Sequence, residues 1–130
     1  KEYFRKWRKE KYDKDPSFRL RVILGNRLKE VLTKNKTYKT NSLIELLGCT
    51  LDELKIHIEQ QFKPEMNWGN QGKVWELDHT EACVNFDLSN IEEQKKCFNY
   101  TNLKPLFKTT EIAENHGYLN EIGNRNKSSN

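Results

Sequence analysis

Val74-Trp75-Glu76-Leu77-Asp78-His79 opens with four residues that alternate apolar and polar and favour β structure, so a short strand is predicted over 74–77, with Asp78 and His79 at its end. A second short strand or extended segment is predicted at Thr101-Asn102-Leu103-Lys104-Pro105-Leu106-Phe107. Between the two lie a loop with Cys83 and Phe86 and then a helix from about Ser89. A capping box from Ser89 to Glu92 would open that helix, and Ile91 and Phe98 would face inward. The rest of the pattern is helical, so the fold class is α+β: a mostly helical, basic N-terminal part followed by a small strand-bearing core.

Moving toward the N-terminus, Gly69, Asn70 and Gly72 make a loop in which Trp68 reads as a packing anchor. Thr50-Leu51-Asp52-Glu53 is a capping box for a helix over 51–62 that buries Leu51, Leu54, Ile58 and Phe62 and ends before Pro64. His57 on that helix reads as half-buried, with no chemical task. Ser42 to Leu47 predicts a short helix stopped by Gly48, where a left-handed residue is wanted. Asp15-Pro16 opens a helix to about Lys34 with Leu20, Ile23, Leu24, Leu28, Val31 and Leu32 as its core stripe. Arg19, Arg27 and Lys29 fall mostly off that stripe, toward solvent or phosphate. Residues 2–13 are helix-compatible, and Lys34 to Asn41 is a polar connector. Toward the C-terminus, Thr109 or Thr110 would cap a last helix over 110–116 stopped by Gly117, followed by a polar tail.

The 130 residues are 35% hydrophobic and 32% charged, with a mean hydropathy of −0.98, so the core must be small. No run of about 18 apolar residues offers a transmembrane span, and no apolar signal segment follows Lys1. Cys49, Cys83 and Cys97 are odd in number and lack a CxxC pair. That argues against a disulfide framework and a structural zinc knuckle, and for an intracellular, reducing compartment. The cysteines read as small structural hydrophobes. Charge is unevenly spread: residues 1–40 hold 14 basic and 5 acidic groups, the remaining 90 residues 9 basic and 14 acidic. A basic arm (1–41) joined to a mildly acidic body (42–130) has a polyanion as its natural partner, because Lys and Arg at phosphates release condensed counterions. Tyr3, Phe4, Trp7, Tyr12 and Phe18 interleave with the basic groups, which favours a folded surface over a loose tail.

The chemistry sits at Asp78-His79. A carboxylate is a hard ligand for Mg²⁺ or a similar ion, and an imidazole with a near-neutral pKa can take a proton from water. A turn at the strand's end would let both address one cleft. A capping Asp beside a surface His is the plainer reading of the dipeptide alone.

In its wider context, Trp75-Glu76-Leu77-Asp78-His79, then Phe86-Asp87-Leu88, then Cys97 through Phe107 resembles the HNH endonuclease family, most closely its phage, large-DNA-virus and intron-encoded branch. Leu46-Leu47-Gly48-Cys49-Thr50, Phe62-Lys63-Pro64 and Met66-Asn67-Trp68 resemble the segment that precedes this nuclease core, and the likeness covers about residues 43–127.

The resemblance implies a ββα-metal core in which one divalent ion, Mg²⁺ or Mn²⁺, is gripped against a scissile phosphate of double-stranded DNA. His79 would be the general base and Asp78 a metal ligand. Asn102 would hold the arms of the hairpin together and orient the His79 ring. The family's third motif position usually carries His or Asn; nine residues past Asn102 this sequence has Glu111, itself a sensible ligand, with Asn115, His116 and Asn124 as alternatives. Arg19, Arg27, Lys29, Lys104, Lys108, Arg125 and Lys127 are candidate phosphate contacts. A non-catalytic nucleic-acid-binding module that kept the fold is the rival expectation, and a structural protein of a larger assembly is a third.

Overall fold

The computed structural model describes residues 2–34 and 42–109. Its first two elements meet at Asp15: α1 spans Glu2–Lys14 and α2 spans Pro16–Lys34. Asp15 Oδ1 accepts from the Phe18 amide at 3.2 Å, and Pro16 takes the first helical position, where a missing N–H costs nothing. Leu20, Leu24, Leu28 and Leu32 recur every four residues and are all buried, while Ile23 and Val31 flank them half-buried. By contrast, α1 buries none of its residues.

The short helix α3 (Leu43–Leu47) is capped by Ser42, whose hydroxyl accepts from the Glu45 amide. It ends at Gly48, whose φ of 73° lies in the left-handed region that glycine enters without a Cβ penalty. The predicted capping box opens α4 (Leu51–Glu59), with Thr50 and Glu53 satisfying each other's amides. The helix stops at Glu59 rather than at 62, so Phe62 is half-buried and joins Trp68 and Trp75 in an aromatic triangle with ring centroids 5.0–5.4 Å apart.

The strands are β1 (Trp75–His79) and β2 (Leu103–Phe107), paired antiparallel as Trp75–Phe107, Glu76–Leu106, Leu77–Pro105, Asp78–Lys104 and His79–Leu103. Bonds at the two ends fix the rungs: Lys108 N donates to Val74 O at 2.9 Å, and Thr80 N to Asn102 O at 2.7 Å. Hydrogen-bonded rungs therefore fall at 74, 76, 78 and 80, and Pro105, which has no N–H, sits on a rung that needs none. The predicted strand end at 77 extends to His79 because the partner continues to Leu103.

Between the strands, a single 3₁₀ turn (Cys83–Asn85) precedes α5 (Ile91–Phe98). Asn90, not Ser89, caps α5: its side chain accepts from the Glu92 and Glu93 amides, while the Ser89 hydroxyl is taken by Asp87 at 2.6 Å. A 3₁₀ turn at Tyr100–Asn102 then leads into β2. One core joins the α2 leucines to α3, α4, Trp75, Leu77, Cys97, Phe98, Leu103 and Phe107. Helices and a two-stranded sheet make the chain α+β. Among the described residues no helix is long and apolar enough to cross a membrane. The predicted helix over 110–116, the tail, most of the connector and Glu111, Asn115, His116, Asn124, Arg125 and Lys127 lie outside the described residues.

Candidate functional site

The end of β1 delivers Asp78 and His79 into buried surroundings, each 4% exposed. Neighbours in a strand point to opposite faces, and no wide turn intervenes here. Instead Asp78 Oδ1 accepts from the His79 backbone N–H at 2.8 Å, and Asp78 lies across from Lys104 in the register. His79 lies on the other face, where Phe98 from the end of α5 meets its ring edge-on at 5.3 Å.

Asn102 stands one residue before Leu103, the partner of His79. Its Oδ1 accepts from the Glu81 amide at 2.8 Å, and its Nδ2 donates to Glu81 O at 3.2 Å and to Cys97 O at 2.9 Å. One side-chain amide thus ties the loop leaving β1 to the end of α5 at the mouth of β2. Both its donor and its acceptor are used, which neither Asp nor Leu could reproduce.

The cysteines require a correction. Cys83 and Cys97, read from the sequence as unrelated structural hydrophobes without a metal-ligand partner, converge on His79. Cys83 Sγ lies 3.6 Å from His79 Nδ1 and 3.7 Å from Nε2, and Cys97 Sγ lies 3.0 Å from Cys83 Sγ. One ligand atom from each of the three residues falls within 4.8 Å of the others. The Cys97 thiol beside it, and then His79 and the charge of Arg27, hold the Cys83 thiol down to about 5 against the opposing effect of burial. Cys97 moves up, because its proton is shared with the Cys83 sulfur and its surroundings are dry. No spacing rule reveals the trio: three residues separate His79 from Cys83 and thirteen separate Cys83 from Cys97. Only the return of α5 onto β1 brings them together.

The basic candidates take different places. Arg19 does not face solvent: it is 7% exposed and its guanidinium donates to Tyr12 O, Asp13 O, Trp68 O and Gln71 Oε1 at 2.7–3.1 Å. Arg27 is half-buried and lines a cleft of about 560 Å³ between α2 and the 68–77 segment, together with Glu30, Lys73 and Glu76. Lys29 is exposed on α2, and Lys104 is half-buried on β2. Lys108 Nζ donates to Gly72 O at 2.7 Å. His57 is half-buried, as expected, with its ring edge-on to Tyr100 at 5.1 Å and Nε2 buried without a hydrogen-bond partner.

Two viral proteins resemble this chain. Uncharacterized protein L426 of Acanthamoeba polyphaga mimivirus is 40% identical over 98 residues, and uncharacterized protein L246 of the same virus is 36% identical over 101 residues. The matches cover 75% and 76% of this chain but 42% of each relative, so the chain spans well under half the length of these curated relatives. No family model and no solved structure matches it.

Proposed function

We propose that the chain is a metal-dependent HNH-type DNA endonuclease, hydrolysing a phosphodiester with water as nucleophile. The observation that carries this reading is the end of the β1–β2 ribbon. There the buried Asp78 and His79, on opposite faces of β1, and Asn102, across from Thr80, stand on successive rungs of one antiparallel register, as in the hairpin half of a ββα-metal core.

The roles follow from the side chains. His79 accepts the proton of the attacking water; Phe98 fixes the ring from the side, and the strand fixes its backbone. Asn102 keeps the ribbon's mouth closed by binding both backbone groups of Glu81. Asp78 offers a hard carboxylate oxygen, the donor type that suits Mg²⁺ or Mn²⁺, and Glu111 is the first choice for the companion ligand. Such an ion, when bound, supplies charge stabilisation at the phosphate and the leaving oxygen. The basic face of α1 and α2 holds double-stranded DNA by its backbone, giving position rather than sequence readout.

The test is plasmid nicking in Mg²⁺ or Mn²⁺ by the native chain and by His79→Ala. Cleavage that EDTA stops and that the substitution lowers by about 10²–10⁴-fold is expected. Equal cleavage by the two proteins removes His79 from its role, and salt-sensitive DNA binding without any nicking identifies a non-catalytic module. Glu111→Ala compared with Asn115→Ala then assigns the companion ligand.

A further inference from the structure

We propose that His79, Cys83 and Cys97 form a binding site for a thiophilic divalent cation of the zinc class, separate in donor chemistry from the carboxylate site at Asp78. Three elements supply it: the end of β1, the 3₁₀ turn and the last turn of α5. Two sulfurs and one imidazole nitrogen are soft to borderline donors, a set that selects zinc-like ions over Mg²⁺. The surroundings are already built. Cys97 is fully buried, Phe98 packs on the imidazole, and Asn102 anchors the Cys97 carbonyl.

The spacing suits four-coordinate zinc. Bond lengths of about 2.3 Å to sulfur and 2.0–2.1 Å to nitrogen put tetrahedral S···N edges near ~3.5 Å and S···S edges near ~3.8 Å. The Cys83 sulfur already sits at such an edge from either nitrogen of the one ring, 3.6 Å from Nδ1 and 3.7 Å from Nε2, and the Cys97 sulfur lies within 4.8 Å of the ligating nitrogen. The sulfurs, 3.0 Å apart, must open by roughly 0.8 Å to reach that S···S edge, and Cys83 lies on a turn with no side-chain cap that can yield. At 3.0 Å they are also well beyond the ~2.05 Å of a disulfide, and both thiols are free. Among the described residues binding fills three positions and leaves the fourth open, and it releases the remaining thiol proton to solvent. It also occupies an imidazole lone pair. Insofar as His79 is the base of the proposed nuclease, a filled site therefore silences it; that consequence rests on the nuclease reading, whereas the binding does not.

Co²⁺ is the spectroscopic probe, added to the full chain kept reduced with a phosphine. One equivalent is expected to give the thiolate-to-cobalt charge-transfer band and the intense visible bands of a four-coordinate centre, both removed by added Zn²⁺. Cys83→Ser, at a half-exposed position, should weaken binding at least about tenfold, since even loss of an outer-shell partner costs that much. Asp78→Asn should keep the bands, and far-ultraviolet circular dichroism shows that each variant is folded. Absence of a thiolate band in the native chain, or an unchanged band in Cys83→Ser, overturns the site. Cobalt bands without nicking leave this site standing and sink the nuclease; nicking without cobalt bands does the reverse. Where both are present, one equivalent of Zn²⁺ should suppress Mg²⁺-supported nicking, and full activity with zinc bound would overturn the silencing.

Discussion

Arg19 is a charge that serves structure. Its planar fork spans the carbonyls of Tyr12 and Asp13 at the end of α1 and that of Trp68 in the distant loop, so one side chain pins two segments to α2. Arg19→Met should cost roughly 1–3 kcal/mol, because three part-buried carbonyls then lose their donor. Arg19→Lys should recover little of it, since one ammonium cannot replace a planar fork. Thermal unfolding measures both; an unchanged midpoint in Arg19→Lys would show that the fork geometry is immaterial. At this scale the sequence is partly legible. Asp78, His79 and Asn102 fall on successive rungs because strand pairing follows the alternation visible in their neighbours, but without a turn Asp78 and His79 keep opposite faces. Arg19 escapes such a reading because it sits beside the leucine stripe, not on it, and a stripe does not say what a loop 49 residues away will cover. Cys83 and Cys97 escape it for the same reason: what joins them is a return of the chain, not a spacing.

Elements are most legible where a local hydrogen bond ends them. Gly48, Thr50 with Glu53, and Asp15-Pro16 all act within four residues, and each helix boundary they predict is found. The start of α5 moves by one residue because Ser89 and Asn90 are both good caps, and Asp87 captures the serine. The α4 cap carries its own prediction. Thr50→Ala should destabilise the chain by about 1 kcal/mol. The carboxyl of Glu53 sits below the ordinary glutamate range because it accepts from the Thr50 amide and hydroxyl. A group lowered on folding contributes fully above its unfolded pKa, about 4.3, and loses that contribution as pH falls through the lower folded value. The thermal midpoints of native protein and Glu53→Gln should therefore differ near pH 6 and converge at acid pH; a difference that survives at pH 2 would assign the effect to packing.

Across the whole molecule, charge and core are separated. α1 buries nothing and exposes Arg5, Lys6, Arg8 and Lys9, with Tyr3 and Phe4 exposed at 75% and 67%. Replacing those four basic residues by Gln should leave stability within about 0.5 kcal/mol, as for exposed sites generally. If the arm holds DNA, the same change should weaken binding alike on every sequence. It should also flatten the log–log salt slope by roughly 0.9 for each phosphate no longer neutralised. An unchanged salt slope would move the DNA-holding surface off α1. Pro105, on the rung that asks for no donor, has a wider effect. Sliding β2 along β1 by a single position would aim its imide nitrogen at a carbonyl and turn every inward side chain out. The ribbon thus behaves like a keyed shaft that seats one way only, and the imidazole at its tip inherits a fixed bearing from a residue two rungs away.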